Sequence, residues 1–286
     1  MRRESTYSNY HTVVIHHGRG HKNRVLSVPN ALLKMVQRRL LERYLYQLIV
    51  SEYSTAYCKV KSPLDNVSPH VGKECVLKLD ISHFFDSIDD DMVYVIMKQF
   101  GFSDPATALL TNRCVHNCKL PQGTPTSSYL ANLVMKHFDE KLGEWCSVRR
   151  IDYTRYCDDM TFSGTKKAVK TSHIIGRVKR MFHRMGFELN ERKTLLINSS
   201  QQQRVTGIVV NEKSQLSRNM RRSIRQEVYY CTRYAVKESL TKKGLDTSEQ
   251  EFLRSLLGRI SFAMQANQQN KNMRRYFKAV KNLMYK

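Results

Sequence analysis

The sequence has few acidic residues for its length and no long apolar run. Asp and Glu number 25 against 48 Lys and Arg, which leaves a formal charge of +23 over 286 residues. This excess of positive charge goes beyond what solubility requires and predicts a polyanionic partner, with nucleic acid favoured over an anionic membrane surface. No stretch reaches the roughly 18 apolar residues of a membrane-spanning helix, and no signal-peptide core lies near the start. We therefore expect a soluble, cytoplasmic protein that does not associate with membranes.

Cysteine pairs and repeats are also missing. The seven cysteines are scattered and form no C-x-x-C pair. A zinc site of paired cysteines is thereby excluded, and reduced thiols that fill the core are predicted. No internal repeat or low-complexity block is visible, and a hydrophobic content of 41% is enough for a sizeable core. Disorder over the whole chain is therefore not expected.

Apolar spacing predicts the elements of the first third of the chain. A helical period over residues 30–53 predicts an amphipathic helix, with Asn30 as its N-cap. Residues 62–73 hold two prolines and a glycine and predict a loop. The alternation in "CVLKLD" predicts a strand that ends at Asp80, followed by a helix over 89–100 with aspartates at its start.

The rest of the chain alternates between turns, helices and short strands. "PQGTPTSS" predicts a loop before a serine-capped helix over 127–145, and residues 171–187 predict a helix closed by Gly186. Two short strands flank the Asp158–Asp159 pair, as in a hairpin, and further short strands are expected over 188–211. The segment 218–286 is mostly helical and holds 16 Lys and Arg against 5 Asp and Glu. The overall prediction is an α+β core with an appended basic helical part.

Three carboxylates are candidates for chemistry. Asp80 ends an apolar strand, and Asp158 and Asp159 lie between strand-forming residues, where charges are rare unless paired or metal-bound. Mg²⁺ prefers oxygen ligands, and two such ions about 3.5–4 Å apart stabilise in-line phosphoryl transfer. From the residues alone a structural interpretation stays open, because Asp pairs also stabilise turns.

Four segments together resemble the palm motifs of reverse transcriptases. "LKLDISHFFDSI", "LPQGTPTSSYLANLVM", "YCDD" and "GFELNERKT" occur in the order of that family, over roughly residues 20–211. The resemblance implies the right-hand polymerase architecture, with fingers and palm over 1–211 and a basic helical thumb over 212–286. It implies RNA-directed DNA synthesis with two Mg²⁺ ions, for which Mn²⁺ is a substitute.

A narrower resemblance is to bacterial retron reverse transcriptases. These enzymes carry an Asn-Ala-x-x-His motif and a Val-Thr-Gly motif, and this chain has "NVSPH" (66–70) and "VTG" (205–207). Val67 replaces the usual alanine of the first motif, and Cys157 replaces the usual alanine before the aspartate pair. Both changes keep a small or modest apolar side chain, so neither argues against the resemblance.

The resemblance assigns roles to residues. The catalytic set is Asp80, Asp158, Asp159 and Lys193: the aspartates hold the metal ions, with Asp159 as the supporting neighbour, and the lysine assists the leaving pyrophosphate. Nucleotide-binding roles fall on Lys22, Arg24, Phe85, Gln122 and Gly123. Within that set Phe85 lies against the sugar and disfavours a 2′-hydroxyl, and Gly123 lets the backbone approach the nucleotide closely. RNA-binding roles fall on Asn66, His70, Val205, Thr206, Gly207, Arg221, Arg222 and Arg225.

The same resemblance implies the partners. Retron enzymes copy a structured noncoding RNA with dNTPs, start from a guanosine 2′-hydroxyl, and produce a branched RNA–DNA called msDNA. A separate effector protein in antiphage defence is implied by analogy. Two other interpretations are open: a reverse transcriptase of the mobile-intron, diversity-generating or abortive-infection type, and a non-catalytic RNA-binding protein with an inactive palm. The "NVSPH" and "VTG" pair argues against the first, and the three intact aspartates argue against the second.

Overall fold

The computed structural model describes residues 9–15, 23–244 and 246–285. They form two compact units. The first unit consists of the described residues up to Ser62 together with Leu77–Leu196. The second unit consists of Pro63–Val76 together with the described residues from Ile197 onward. The second unit thus includes segments 63–76 and 197–211, which lie within the span predicted as fingers and palm.

The strands are short. The described residues form nine: β1 (Tyr10–Ile15), β2 (Arg24–Pro29), β3 (Cys75–Asp80), β4 (Asp152–Tyr156), β5 (Asp159–Gly164), β6 (Leu195–Asn198), β7 (Arg204–Val205), β8 (Ile208–Val209) and β9 (Gln215–Leu216). Two strands form an antiparallel pair, β1 with β2, and four form a sheet of order β4-β5-β3-β6. The remaining three form an antiparallel sheet of order β7-β8-β9. The chain passes from one unit to the other between Ser62 and Pro63, within β3 and again within β6.

Helices make up most of the remaining structure. Over the described part of the chain they are α1 (Ala31–Arg43), α2 (Pro63–Val67), α3 (Asp90–Lys98), α4 (Asp104–Cys114), α5 (Ser127–Val134), α6 (Lys136–Val148), α7 (Lys166–Thr171), α8 (Ile174–His183), α9 (Arg218–Arg233), α10 (Val236–Lys243), α11 (Glu249–Ala266) and α12 (Lys271–Leu283). Short 3₁₀ turns cover Leu45–Gln47, Ser68–His70 and Glu191–Lys193. The mixture of strands and helices, followed by helices alone, confirms the predicted α+β class.

Side-chain caps fix two of the predicted helix starts. The Leu33 amide donates to Asn30 Oδ1 at 2.9 Å, and the Met92 amide donates to Asp89 Oδ1 at 2.9 Å. Both carboxamide and carboxylate oxygens satisfy amides that a first helical turn leaves free. The predictions of an Asn30 cap and of a helix that follows Asp89 are confirmed.

Several predicted boundaries are wrong. The helix expected over 30–53 ends at Arg43, and the loop expected over 62–73 contains α2 and a 3₁₀ turn. Pro63 opens α2, where the missing amide of proline does no harm because a first-turn amide has no helical partner. The helix expected over 127–145 is two helices separated at Met135, and it is preceded by Thr126 without a side-chain cap.

The helix expected over 171–187 begins only at Ile174, after α7 has ended at Thr171. The predicted terminator is confirmed: Gly186 has φ +74, and the Phe187 amide donates to Phe182 O at 3.1 Å. Left-handed backbone just past a helix end favours glycine because it has no Cβ. The hairpin predicted around the aspartate pair is confirmed as β4 and β5.

The second unit has its own apolar core. Its members come from α2 and β3, from β7–β9 and from α9–α12, and they include Val67, Val76, Val205, Ile224 and Leu256. The Gly72 amide donates to Val210 O at 2.8 Å, which ties segment 63–76 to the β7–β8 region within this unit. The "NVSPH" and "VTG" motifs therefore belong to the same folded body.

The cysteines agree with the expectation from the sequence. All seven cysteines are thiols outside any disulfide, and five of them are buried. The prediction of reduced, mostly core-filling thiols is confirmed. Among the helices that the structure describes, none combines the length and the apolar character that a bilayer crossing requires.

Candidate active site

Asp80 lies at the end of β3, where backbone bonds tie three segments together. The Ile81 amide donates to Asp158 O at 3.0 Å, and the Asn190 amide donates to Asp80 O at 2.8 Å. The Asp80 side chain is nearly enclosed, since the residue is only 5% exposed. The strand end, the β4–β5 turn and the segment before Lys193 therefore meet at one place in the first unit.

The β4–β5 turn contains only two residues. Tyr156 pairs with Asp159, so Cys157 and Asp158 form the turn itself. Cys157 has φ +61, a left-handed backbone that costs free energy in a residue other than glycine. Asp158 and Asp159 are both half-buried. The tight turn thus holds two adjacent carboxylates next to Asp80, as the sequence predicted.

Lys193 completes this cluster. Its Nζ donates to Asp80 Oδ2 at 2.8 Å, while 60% of its side chain stays exposed. The hydrogen bond to Asp80 raises the pKa of Lys193, and the charges of Asp80, Asp158 and Asp159 act in the same direction. The structure therefore brings the four residues of the predicted catalytic set together, and it keeps the lysine protonated.

The carboxylates repel one another. Burial raises the pKa of Asp159, and the negative charges of Asp158 and Asp80 raise it further, whereas Lys78 and Lys193 lower it. A carboxylate with a raised pKa beside other carboxylates is typical of a site that gains stability from a bound cation.

The donor set suits a hard cation, although its present arrangement is not that of a formed metal site. Within residues 9–15, 23–244 and 246–285, no three His, Cys, Asp or Glu side chains are placed to hold one ion. Asp80 Oδ2 instead accepts the Lys193 ammonium. Three carboxylates at the end of β3 and at the adjacent β4–β5 turn offer the oxygen ligands that Mg²⁺ prefers, so the chemistry of the residues fits magnesium.

Two of the segments that carry predicted nucleotide-binding residues contact each other. The Ser27 amide of β2 donates to Gln122 O at 2.9 Å, and Arg24 is exposed at the start of the same strand. Gly123 has φ +104, and a Cβ there would lie 3.2 Å from Leu26 Cβ. The backbone angle and the close approach to β2 both favour glycine at this position, and the predicted contact with a nucleotide stays a prediction. Lys22 lies outside the described residues.

Phe85 is not part of the core. It is half-buried, and its ring centroid lies 5.4 Å from that of Phe84. Phe84, by contrast, is 4% exposed and packs against Phe187 with centroids 6.1 Å apart. Of the two aromatic residues after Asp80, Phe84 anchors the segment and Phe85 keeps a surface open to a ligand.

Sequence reasoning missed one group beside this site. Arg155 of β4 is fully buried and forms an ion pair with Asp139 of α6, which is also fully buried. The only signal in the sequence is an arginine inside a strand of aromatic and β-branched residues, where an unpaired charge is costly. That signal indicates a buried pair but does not name the partner.

The chain matches the family model described as reverse transcriptase (RNA-dependent DNA polymerase) over residues 17–210. It belongs to the reverse transcriptase family. The match covers the segments that carry Asp80, the Gln122 loop, the aspartate pair and Lys193.

Curated relatives place this reverse transcriptase beside retron enzymes. It is 31% identical over 210 residues to the retron Ec86 reverse transcriptase of Escherichia coli, covering 72% of this chain and 65% of the relative. It is 32% identical over 220 residues to the retron Mx65 reverse transcriptase of Myxococcus xanthus, covering 71% of this chain and 51% of the relative. The chain thus spans between about half and two thirds of these relatives. The predicted resemblance to retron-type reverse transcriptases is confirmed.

A solved structure shows the same fold. The telomerase of Candida albicans, in complex with a fragment of telomeric RNA, aligns with a TM-score of 0.53 at 10% identity. The alignment covers 96% of this chain and 63% of the telomerase chain. At this identity the likeness concerns the fold alone, and it confirms the predicted right-hand polymerase class of this reverse transcriptase.

The predicted RNA-binding motifs of this reverse transcriptase are partly enclosed. Asn66, His70 and Val205 are each no more than 1% exposed, so their side chains do not present an RNA-binding surface in this structure. Thr206 and Gly207 instead form the two-residue turn between β7 and β8, with φ +44 and φ +80; Gly207 is exposed and Thr206 is half-buried. Burial lowers the pKa of His70 to about 3, and the nearby Lys73 charge acts in the same direction. His70 is therefore a neutral core residue.

The predicted arginines of the second unit differ in exposure. Arg222 and Arg225 of α9 are exposed, whereas Arg221 is half-buried. Arg222 and Arg225 border a groove of about 670 Å³ between α9 and α12, which Tyr229, Arg275 and Tyr276 also line. Tyr229 is 55% exposed and Tyr234 is 50% exposed, so these rings lie on the surface rather than in the core.

Proposed function

We propose that this chain is a retron reverse transcriptase that copies its cognate structured noncoding RNA into DNA. The proposed reaction starts from a guanosine 2′-hydroxyl and yields msDNA, with dNTPs as substrates and two Mg²⁺ ions as cofactors. One observation carries the proposal: Asp80, Asp158, Asp159 and Lys193 come together at the end of β3 in a chain of the reverse transcriptase family.

The chain's own residues provide what phosphoryl transfer needs. The primer hydroxyl oxygen bonds to the α-phosphorus of the dNTP, the bond to the β-phosphate breaks, and pyrophosphate leaves while the hydroxyl proton passes to solvent. Asp80, Asp158 and Asp159 would hold Mg²⁺, which when bound supplies the positive charge that stabilises the phosphate oxygens. Lys193 must leave Asp80 Oδ2 before that oxygen binds a cation. Its ammonium, protonated at neutral pH and largely exposed, then suits contact with the leaving pyrophosphate.

Primer extension on an RNA template tests the polymerase activity. We expect dNTP incorporation with Mg²⁺ or Mn²⁺, and a loss of at least about 10³-fold in Asp158→Asn or Asp80→Asn, because each removes a charge on which the transition state depends. Asp159→Asn should also reduce the rate strongly. The matched control is Asp91→Asn, since Asp91 is an exposed carboxylate in the first turn of α3.

Two outcomes would contradict the polymerase assignment. Full activity in the Asp158→Asn/Asp159→Asn double variant would show that the pair does not carry the reaction. A wild-type protein that binds RNA but never extends a primer would support the non-catalytic interpretation instead.

The branched product distinguishes a retron enzyme from other reverse transcriptases. We expect the purified protein to carry an RNA–DNA hybrid whose DNA 5′ end is joined to a guanosine 2′-oxygen. Sequencing of the copurified nucleic acid, before and after treatment with a 2′–5′ debranching enzyme, measures this. Linear cDNA with no branch would favour the mobile-intron, diversity-generating or abortive-infection types.

The basic groove between α9 and α12 is the proposed RNA-holding surface. Arg222 and Arg225 make no ion pair with any described residue, so their charges are available to phosphates. Exposed tyrosines beside them suit stacking on unpaired bases. The thumb assignment of residues 212–286 is part of this proposal.

The salt dependence of RNA binding tests this surface. Each phosphate contact contributes roughly 0.7–0.9 to the slope of log K against log salt, so the loss of two contacts in Arg222→Gln/Arg225→Gln should reduce the slope by about 1.4–1.8. The control is Arg180→Gln/Arg184→Gln, which removes two exposed arginines at the end of α8 in the first unit. An equal change in both variants would show that charge in general, and not this groove, governs binding.

A separate effector protein, a role in antiphage defence and a cytoplasmic location complete the proposal. Their support is the likeness to retron reverse transcriptases. Copurification from the native host, with Asp158→Asn as the comparison, would show whether a partner protein depends on the DNA product.

A further inference from the structure

A fully buried arginine lies directly before the candidate catalytic turn. Arg155 of β4 has 0% exposure and is among the largest enclosed side chains of the described structure. Its backbone pairs with an adjoining segment: the Arg155 amide donates to Tyr53 O at 2.8 Å, and the Thr55 amide donates to Arg155 O at 2.9 Å. The strand position is therefore fixed from both sides, and the guanidinium points into the interior of the first unit.

Three polar side chains surround the guanidinium. Arg155 Nε donates to Asp139 Oδ1 at 2.9 Å, and Nη2 donates to Asp139 Oδ2 at 2.6 Å. Nη1 lies 3.2 Å from Asn132 Oδ1, and the Tyr153 hydroxyl donates to Asp139 Oδ1 at 2.8 Å. Asn132 is held in turn by its own bond to Ala56 O at 2.7 Å. The charge pair is bidentate, and its neighbours satisfy the remaining groups, as a buried ion pair requires.

The Nη1 group of the guanidinium also reaches the turn. Arg155 Nη1 donates to Cys157 O at 2.8 Å, and Cys157 is the left-handed residue immediately before Asp158. The Arg155 Cζ also lies 5.8 Å from the centre of the Phe84 ring, which belongs to the segment that follows Asp80. One side chain thus contacts both segments that carry the candidate catalytic carboxylates.

Stability alone does not account for this arrangement. A buried ion pair loses much of its attraction to desolvation, and apolar residues of similar volume are often as stabilising. Lysine would supply the same charge, but only arginine offers a planar set of donors that binds a carboxylate and a backbone carbonyl at once. A left-handed residue other than glycine persists only where its surroundings hold it, and the bond to Cys157 O does so here.

We propose that Arg155, held by Asp139 and Asn132, is a positioning residue that fixes the Cys157–Asp158 turn for catalysis. The inference rests on the proposed polymerase function. Arg155 is enclosed, so it acts through the turn and does not contact substrate.

The first test replaces the donor set and keeps the charge. In Arg155→Lys the ammonium serves Asp139 or Cys157 O but not both. We expect kcat for primer extension to fall at least about tenfold while KM for dNTP changes less than about threefold, because placement of Asp158 matters most in the transition state. Manganese binding, followed by electron paramagnetic resonance of the free ion, should weaken as well.

A second test separates stability from positioning. The triple variant Arg155→Met/Asp139→Leu/Tyr153→Phe replaces the polar group with apolar side chains of similar size. We expect a folded protein with a thermal midpoint near that of the wild type and a kcat at least as low as that of Arg155→Lys.

The control is Leu142→Ala, which removes a fully buried side chain from α6, three residues after Asp139. It should lower the thermal midpoint and leave both the kcat of the folded fraction and Mn²⁺ binding unchanged. A rate loss in this control equal to that of Arg155→Lys would show that any weakening of α6 suffices and would overturn the proposal.

The proposal would also be overturned if either folded variant, Arg155→Lys or the triple variant, kept the wild-type kcat and Mn²⁺ affinity. Failure of both variants to fold would overturn it too, because Arg155 and its partners would then serve the fold rather than the turn. The proposed function fails separately, if the wild-type protein extends no primer.

Discussion

The buried His70 predicts how stability depends on pH. Its pKa is about 3 in the folded protein against an ordinary 6.5, because burial disfavours the charged ring. The unfolded chain therefore binds a proton that the folded chain does not, so the contribution of His70 is complete above pH 6.5 and is lost as pH falls towards 3. Between about pH 7.5 and pH 5 the loss amounts to about 2 kcal/mol. At pH 5 the folded ring is still neutral, so nearly all of this loss comes from protonation of His70 in the unfolded chain, with its ordinary pKa of 6.5.

Urea unfolding followed by circular dichroism measures the effect at both pH values. Comparison with His70→Asn isolates the contribution of His70, since the other groups titrate equally in both proteins. We expect the variant to be less stable at neutral pH and its free energy of unfolding to fall by about 2 kcal/mol less than that of the wild type on acidification. Equal losses in both proteins would refute the assignment of His70 as a neutral core residue. A contact with RNA, by contrast, would affect binding and not this difference.

Two further predictions concern charge and packing. In Lys193→Met we expect the acid limb of the kcat–pH profile to move to higher pH, because Lys193 lowers the pKa of Asp159; an unchanged limb would contradict their coupling. In Gly143→Ala the new Cβ would lie 2.2 Å from Tyr53 ring atoms, which should cost about 1–3 kcal/mol in urea unfolding. Gly176→Ala, with nothing within 4 Å, is the control and should gain up to about 1 kcal/mol. Equal effects of the two substitutions would contradict the packing argument.

Local signals predicted much of the secondary structure. The Asn30 cap, the strand that ends at Asp80, the hairpin around the aspartate pair and the Gly186 terminator each depend on a few neighbouring residues. The breaks at Arg43 and Met135 could not be predicted in this way, because the apolar period continues through both and tertiary packing decides where each helix ends. The prediction that Asp80 and Lys193 belong to the same catalytic site came from the family motifs and not from composition.

Long-range pairs were the main gap in the site. Arg155 and Asp139 are sixteen residues apart and lie on different elements, so no spacing rule connects them. The contact of Gly123 with β2 was missed for the same reason, since a glycine that must approach something does not say what it approaches. The burial of Asn66 and His70 could not be predicted either, because the sequence does not show whether a polar residue of a motif is exposed or enclosed by the core.

The division of each unit between distant segments has a consequence for synthesis. Segment 63–76 leaves the ribosome more than a hundred residues before the rest of the second unit, which starts at Ile197. At about 5–20 residues per second, its apolar side chains, such as Val67 and Val76, wait several seconds or longer for their partners. The second unit completes its core only after α12 has been synthesised. A chain cut at residue 211 would keep these side chains and lose α9–α12, so such a truncation is not a clean removal of one domain.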